Sequence, residues 1–209
     1  MVIAIRHGET EWNREQREIG QLDSPLTQRG IEQARALAQR LCRTRFDALY
    51  SSDLGRAVQT AEIIGTECRI PVKLAAGLRE RHMGIFQGLT VEEMRQKFPR
   101  EREEYERLGL DYVIPGGESA RQRLERSVRT LTSIAQTHAG QSVVVVTHGG
   151  FLTGFFEFVL GMQPGNDRRF RRANCSYNTF VYSEAKWCLE TWNDTSHLEG
   201  IAELDDWAS

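Results

Sequence analysis

The sequence predicts an α/β protein with three layers, in which a mostly parallel central sheet carries helices on both faces. Apolar strand patterns and amphipathic helix patterns alternate through the first 65 residues, as in sheets built from strand–helix repeats. Four consecutive valines at 143–146 predict a central strand that is buried on both sides. A charged stretch at 84–118 interrupts the alternation and predicts a small lid-like insertion.

The first two strand–helix pairs are predicted from apolar runs and apolar spacing. Residues 2–6 and 47–50 are short apolar runs, which we interpret as buried strands. Residues 30–41 place their apolar side chains on one helical face. A second helix passes through apolar positions 57, 61 and 64 and is expected to end near Gly65. This order favours neighbouring parallel strands.

The last third of the chain is predicted to complete the sheet. An apolar helix over 151–160 follows the valine strand. Alternating strand patterns at 177–182 and 187–192 are joined by a short polar turn, which predicts a hairpin at the edge of the sheet.

The composition is typical of one globular domain over residues 1–209, 40% of them hydrophobic and 27% charged. A net charge of −2 argues against a domain that binds nucleic acid with its whole surface. No apolar run reaches the ~18 residues of a membrane span, so no membrane partner is expected. The N-terminus lacks the apolar segment of a signal peptide, which favours a cytoplasmic location.

The four cysteines show neither a close pair nor the spacing of a metal site. We therefore expect Cys42, Cys68, Cys175 and Cys188 to be small core residues in a reducing compartment.

Two histidines occupy equivalent places in the predicted sheet. His7 and His148 each follow an apolar strand, and each precedes a glycine that allows close approach of another backbone. Ligands of open parallel sheets bind at the carboxyl ends of the strands, so both imidazoles should lie at one edge. A single histidine is more often structural, but two in this arrangement favour a catalytic site.

Two arginines are expected at the same edge. Arg6 ends the first strand, where an unpaired guanidinium would be costly, and Arg56 begins the second helix. Each alone is better explained by a structural ion pair. Together with the two histidines they favour a phosphate pocket, because one guanidinium group can donate two parallel hydrogen bonds to the oxygens of a phosphate.

Motifs of other catalytic sites do not occur in the chain. The glycine-rich nucleotide loops and the GxSxG serine turn are missing. A metal site that combines the histidines with Glu9 or Glu80 is an alternative, but the neighbouring arginines disfavour a cation. The residues alone would also fit a Glu80 that is simply ion-paired with Arg79 or Arg81.

Five ordered blocks resemble the signature of the histidine phosphatase superfamily, in its phosphoglycerate mutase-like branch. The blocks cover positions 3 to about 151, and the C-terminal hairpin agrees with the family fold. They are Arg6-His7-Gly8-Glu9-Thr10 with Trp12-Asn13; Gly20-Gln21-Leu22-Asp23 with Leu26-Thr27 and Gly30; Ser51-Ser52-Asp53-Leu54 with Arg56-Ala57 and Gln59-Thr60-Ala61; Leu78-Arg79-Glu80-Arg81-His82-Met83-Gly84 with Gly88; and Val146-Thr147-His148-Gly149-Gly150.

The resemblance implies a metal-independent phosphatase of the histidine acid type, without a cofactor. It implies that His7 is the nucleophile and that Glu80 protonates the leaving oxygen and later accepts a proton from water. The phosphoryl oxygens would be held by Arg6, Arg56, His148 and the N–H of Gly149, with a polar contact from Asn13. Gly20 and Gln21 would border the substrate, and Arg81 would bind a substrate carboxylate.

Within that family the sequence favours a phosphomonoesterase that acts on small phosphorylated metabolites. The segment between Gly88 and Ser119 is short and lacks the paired arginines of the mutases, which favours access of water. A phosphoglycerate mutase is the alternative, because the loop at 80–82 resembles the mutase version. A catalytically silent phospholigand-binding domain is less favoured, because His7 and Glu80 are both retained.

The basic segment at 168–172 contains four arginines and one phenylalanine. It could be a nucleic-acid patch, but the acidic balance of the domain favours a solvated loop or a subunit contact. We therefore expect a small phosphorylated metabolite as ligand and no nucleic-acid partner, and a homodimer stays open.

Overall fold

A six-stranded sheet forms the middle layer of the protein, whose computed structural model describes residues 1–162 and 170–201. The first four strands are parallel to one another, and the last two form an antiparallel hairpin beside the first strand. Across the sheet the order is β3-β2-β4-β1-β5-β6. The strands are β1 (Val2–Arg6), β2 (Ala48–Ser51), β3 (Val72–Leu74), β4 (Val143–Thr147), β5 (Tyr177–Ser183) and β6 (Lys186–Asp194). The predicted mostly parallel sheet and edge hairpin are confirmed.

Helices cover both faces of this sheet. They are α1 (Glu11–Arg14), α2 (Gln28–Leu41), α3 (Gly55–Cys68), α4 (Val91–Lys97), α5 (Pro99–Leu108), α6 (Ala120–Thr137) and α7 (Gly149–Val159). Side chains alternate along a strand, so Ile3 and Ile5 pack with α2 and α3. Val2 and Ala4 pack with α6 and α7 on the opposite face. The three predicted layers are therefore present.

The second long helix extends beyond its predicted end. Helix α3 continues past Gly65 to Cys68 and closes at Arg69, whose backbone is left-handed with φ 55°. A Cβ on Gly65 would lie 2.8 Å from the carbonyl oxygen of Ile70. This glycine therefore allows the chain to return closely toward β3, and it does not end the helix.

The insertion at 84–118 has a small core of its own. Helices α4 and α5 enclose buried Met83, Phe86, Met94, Tyr112 and Ile114. This cluster is separate from the two cores that line the sheet. The segment is therefore a packed unit, and its role as a lid stays a prediction.

The expectation for the cysteines is wrong. Cys42 and Cys68 form a disulfide although 26 residues separate them in sequence. Helices α2 and α3 pack side by side, which brings the end of one against the end of the other. Cys175 is buried as expected, whereas Cys188 is exposed.

Among the described residues, no helix combines the length and the apolar character needed to cross a bilayer.

Candidate active site

The two sequence-predicted histidines meet at the carboxyl edge of the sheet. Strands β1 and β4 are parallel neighbours in a register that pairs Arg6 with Thr147. The next residues, His7 and His148, therefore leave the sheet side by side. Their ring centroids are 5.3 Å apart, and both residues are buried.

The hydrogen bonds of His7 fix its protonation state. Its Nδ1 lies 2.8 Å from the carbonyl oxygen of Gly8, which can only accept, so Nδ1 carries the proton. Its Nε2 lies 3.2 Å from Nε of Arg56, which can only donate, so Nε2 carries the lone pair. Burial, followed by the charges of Arg56 and Arg6, holds the pKa of His7 well below its usual value, against the opposing effect of the Gly8 bond. His7 is thus a neutral imidazole with an unprotonated Nε2.

Close backbone packing holds the His7 loop. A Cβ on Gly8 would lie 2.5 Å from the carbonyl oxygen of Gly30, so the loop needs glycine there. The N–H of Gly8 donates to Oγ1 of Thr60, and Nδ2 of Asn174 donates to the carbonyl of His7. The imidazole is therefore carried by a backbone that is bonded on both sides.

Arg56 is fully buried beside His7 and is held by the loop at 20–23. Its Nη2 donates to the carbonyl of Gly20 and its Nη1 to that of Leu22, at 2.7 and 2.8 Å. Oδ1 of Asp23 accepts the backbone N–H of Arg56 near the start of α3. Burial lowers the pKa of Arg56 to about 10, although Glu80 and Asp23 oppose this effect. The group stays charged at neutral pH and retains N–H donors for a further acceptor.

Arg6 reaches the start of α7. Its Nη1 donates to the carbonyl of Arg172 at 2.5 Å. A Cβ on Gly149 would lie 3.2 Å from Nε of Arg6 and 3.5 Å from Cδ of Arg172. Two cationic side chains therefore approach the first turn of a helix, where unpaired N–H groups favour an anion.

His148 is bonded to a residue that the sequence analysis did not assign to the site. Oγ of Ser52 lies 2.8 Å from Nε2 of His148 and also accepts the N–H of Leu54. The Ser52 hydroxyl can donate its proton to Nε2, and in that arrangement the histidine proton lies on Nδ1. Burial, followed by the charge of Arg56, holds the pKa of His148 well below its usual value. Nδ1 is buried without a hydrogen-bond partner within the described ranges and offers one neutral N–H donor.

Glu80 accepts two backbone hydrogen bonds at the rim of the site. Oε1 accepts from the N–H of Arg81 at 2.8 Å, and Oε2 accepts from the N–H of Gly150 at 2.7 Å. Burial by itself raises the pKa of this carboxyl, but the charges of Arg123 and Arg172 and the two N–H groups lower it more. The net pKa lies below the usual value, so the group is ionised in the free protein.

The simple ion pair considered for this carboxylate is not formed. Arg79 binds both oxygens of Asp53, at 2.7 and 2.6 Å. Arg81 donates from Nε to the carbonyl of Glu118 and from Nη2 to that of Tyr112. The guanidinium of Arg81 thus ties the carboxylate loop to the insertion, and its contact with a substrate carboxylate stays a prediction.

The other residues predicted to contact the substrate are Asn13, Gly20 and Gln21, which belong to the segments that follow β1. Oδ1 of Asn13 accepts from Thr10 within a capping box, which leaves its amide N–H groups for other contacts. Gly20 has φ 57° and presents its carbonyl to the arginine of α3. Nε2 of Gln21 donates to the carbonyl of Glu80 at 3.1 Å. Gln21 therefore connects the loop at 20–23, which holds Arg56, to the loop that carries Glu80.

Glu9, considered above as a metal ligand, is buried in a different network. Its carboxylate accepts from Oγ1 of Thr27 and pairs with Nη2 of Arg29 at 2.8 Å. The described part of the chain contains no group of three or more His, Cys, Asp or Glu side chains that could hold a metal ion.

Sequence reasoning missed four residues around the site: Ser52, Arg123, Arg172 and Asn174. Ser52 lies inside a quoted motif, and its position directly after a strand could have indicated it. Arg172 was assigned to a solvated loop or a subunit contact, but the structure places it against Gly149. Arg168 and Arg169 of the same segment lie outside the described residues.

Comparisons with known proteins show which proteins this chain resembles. A metal-independent phosphoserine phosphatase from Arabidopsis thaliana is 38% identical over 97% of this chain and 85% of its own length. Phosphoglycerate mutase-like protein 4 from the same plant is 37% identical over 95% of this chain and 86% of its own length. A phosphoserine phosphatase mutant from Entamoeba histolytica, solved in complex with phosphoserine, superposes with a TM-score of 0.82. It is 30% identical, and the match covers 94% of this chain and 98% of that one.

Residues 2–195 match the histidine phosphatase superfamily (branch 1), a range that contains all the site residues described above. The family motifs therefore fall where the sheet edge, α3 and α7 bring their side chains together. On the fold, the site and the match along nearly the whole chain, this protein belongs to branch 1 of the histidine phosphatase superfamily.

Proposed function

We propose that the protein is a phosphomonoesterase that hydrolyses small phosphorylated metabolites through a phosphohistidine at His7. The observation that carries the proposal is the unprotonated Nε2 of His7, which lies against Arg56 and beside His148. An imidazole in this state can attack phosphorus, and the surrounding donors can stabilise the phosphoryl oxygens.

In the first step, Nε2 of His7 forms a bond to phosphorus while the bond to the leaving oxygen breaks. The three equatorial oxygens accept hydrogen bonds from Arg6, Arg56, Nδ1–H of His148 and the N–H of Gly149. Glu80 takes up a proton when the negatively charged phosphoryl group enters beside it, and transfers that proton to the leaving oxygen.

In the second step, water attacks the phosphohistidine and Glu80 accepts its proton. The bond between phosphorus and Nε2 breaks, so phosphate is released and His7 regains its lone pair. Arginines, an imidazole and N–H groups supply the charge stabilisation throughout. The proposed enzyme is a phosphatase of the histidine acid type, in which a histidine carries the phosphoryl group and a carboxylic acid protonates the leaving group.

The names of the relatives support a small substrate that carries a carboxylate. One is named a phosphoserine phosphatase, and the superposed structure holds phosphoserine. We propose that the insertion at 84–118 covers this part of the substrate as a lid, because it packs around its own core beside the Glu80 loop.

A phosphoglycerate mutase is the second candidate, because another relative of similar identity is named phosphoglycerate mutase-like. A mutase returns the phosphoryl group to the sugar acid, whereas a phosphatase gives it to water. The two activities therefore differ in whether free phosphate appears.

Incubation with 3-phosphoglycerate, phosphoserine, sugar phosphates and an aryl phosphate tests the proposal. We expect free phosphate from one or more of them, and an acid-labile phosphoenzyme that His7→Ala abolishes. Formation of 2-phosphoglycerate from 3-phosphoglycerate without free phosphate would favour the mutase. Binding of the same compounds without turnover would favour the silent binding domain.

A further inference from the structure

Arg123 in α6 is a buried guanidinium whose charge the mechanism above does not use. The residue is 7% exposed, and its Nε and Nη1 have no hydrogen-bond partner among the described residues. A buried charge without a direct partner is costly unless opposite charges lie nearby. Burial of Arg123 therefore requires an opposite charge close to its guanidinium.

Two glycines of α7 show where its charge lies. A Cβ on Gly154 would be 2.7 Å from Nη1 of Arg123, and a Cβ on Gly150 would be 2.7 Å from Oε1 of Glu80. Residues four apart share one face of a helix and are neighbours at roughly 5–6 Å. The Arg123 guanidinium and the Glu80 carboxylate thus lie side by side along α7, with the carboxylate nearer His148.

We propose that Arg123 is a positioning residue that holds the Glu80 carboxylate, in its ionised form, against the first turn of α7. The inference rests on the proposed function, in which Glu80 must be a carboxylate when water attacks the phosphohistidine. No side chain at 150 or 154 separates the two groups. Because Nε and Nη1 of Arg123 have no hydrogen-bond partner in the described ranges, the guanidinium can act on the carboxylate through charge without turning it away from the Gly150 N–H.

Other charges face this carboxylate, but they are hydrogen-bonded to other groups. Arg56 binds the loop at 20–22, and Nη1 of Arg172 donates to Oγ1 of Thr153. Arg126 pairs with Glu118 and donates to three backbone carbonyls. The imidazoles of His7 and His148 are neutral and add no charge at this carboxylate.

The charges around Arg123 itself include one competitor for its role. Glu157 of α7 lies on the far side of Gly154 and also attracts Arg123, while Arg81 and Arg126 repel it. Burial alone raises the pKa of Glu80, and Arg123 is the strongest of the charges that lower it. Glu157 would be the true counterion if the loss of Arg123 left Glu80 unchanged.

The test measures the pKa of Glu80 in the ligand-free protein by ¹³C NMR of labelled glutamate, with Glu80→Gln for assignment. We expect Arg123→Leu and Arg123→Gln to raise it by about one pH unit or more, because an opposite charge at this distance is removed. Arg123→Lys should restore most of the shift. Arg129→Leu, which removes an exposed charge from the same helix, should leave the value unchanged.

The acid limb of the rate at which the phosphohistidine is hydrolysed should move upward with the same variants, because Glu80 must be a carboxylate when water attacks. An unchanged Glu80 titration in folded Arg123→Gln or Arg123→Leu would overturn the inference, as would an equal shift in Arg129→Leu. The NMR titration does not depend on turnover, so a protein without phosphatase activity would refute the proposed function while still testing Arg123.

Discussion

The histidine side and the carboxylate side of the site are built in different ways. On the histidine side, His7, Arg56 and His148 follow strands or begin a helix of the central sheet, and each is buried. On the carboxylate side, Glu80 lies in an irregular loop. Two backbone N–H groups donate to its carboxylate, and the side chain of Gln21 donates to its backbone carbonyl. The groups proposed to bind the phosphoryl oxygens are thus fixed by the fold itself. The carboxylate proposed to transfer the proton depends instead on loops and on the insertion.

The largest expected effect comes from removing the nucleophile of the histidine side. We predict that His7→Ala lowers kcat roughly 10⁴-fold or more, because the step through the phosphoenzyme is lost. Rapid quench in alkaline denaturant, which preserves phosphohistidine, should trap radiolabelled phosphoenzyme in the wild type and none in the variant. His138→Ala, which removes a histidine bonded to Tyr50 and Gln141 away from the sheet edge, is the control. Full turnover by folded His7→Ala would remove His7 from the mechanism.

On the carboxylate side, Glu80→Gln should cost less and should depend on the leaving group. General acid catalysis contributes about 10²–10⁴-fold, so we expect a loss in this range for alkyl phosphates. An aryl phosphate with an acidic phenol needs little protonation and should lose much less. Comparing kcat for the two substrates checks this prediction. Equal losses for both would mean that Glu80 acts on binding or on the attacking water alone.

A smaller effect is expected from the hydroxyl that orients His148. We predict that Ser52→Ala lowers kcat/KM about fivefold, because the tautomer that donates from Nδ1 loses a hydrogen bond of about 1 kcal/mol. Ser51→Ala is a matched control, since Ser51 is also buried but donates to a backbone carbonyl. If both variants lost the same activity, Ser52 would be a packing residue only.

The histidine side could be predicted from sequence because strand ends and helix starts determine where its residues lie. Two apolar runs followed by histidine and glycine were sufficient to place both imidazoles at one edge. Ser52 was missed because its role depends on a side-chain rotamer. Arg123 was missed because a charged residue next to the apolar stripe of α6 is ordinarily expected in solvent. The disulfide between Cys42 and Cys68 required knowledge of how α2 and α3 pack.

A variant of Arg81 tests whether this residue supports the insertion or contacts the substrate. Its bonds to the carbonyls of Glu118 and Tyr112 predict that Arg81→Leu weakens the insertion. We expect a loss of about 2 kcal/mol in the free energy of unfolding, as for buried hydrogen bonds from a charged donor. We also expect similar changes in KM for phosphoserine and for a sugar phosphate without a carboxylate. A KM rise confined to the carboxylated substrate would instead identify Arg81 as a substrate contact.

The smallest expected effect is the pH dependence of stability from the two buried imidazoles. Burial keeps the pKa of His7 and of His148 below the usual 6.5, so the unfolded chain binds protons there before the folded chain does. The free energy of unfolding should therefore fall as pH drops below 6.5, by at most about 1.4 kcal/mol per pH unit for each histidine. His197, whose pKa burial also lowers, adds to the slope in the same direction. Denaturant unfolding of the wild type and of His7→Ala between pH 7 and pH 5 should show a shallower slope in the variant. An identical slope would mean that His7 is protonated in the folded protein, which is incompatible with a lone pair on Nε2 directed at phosphorus.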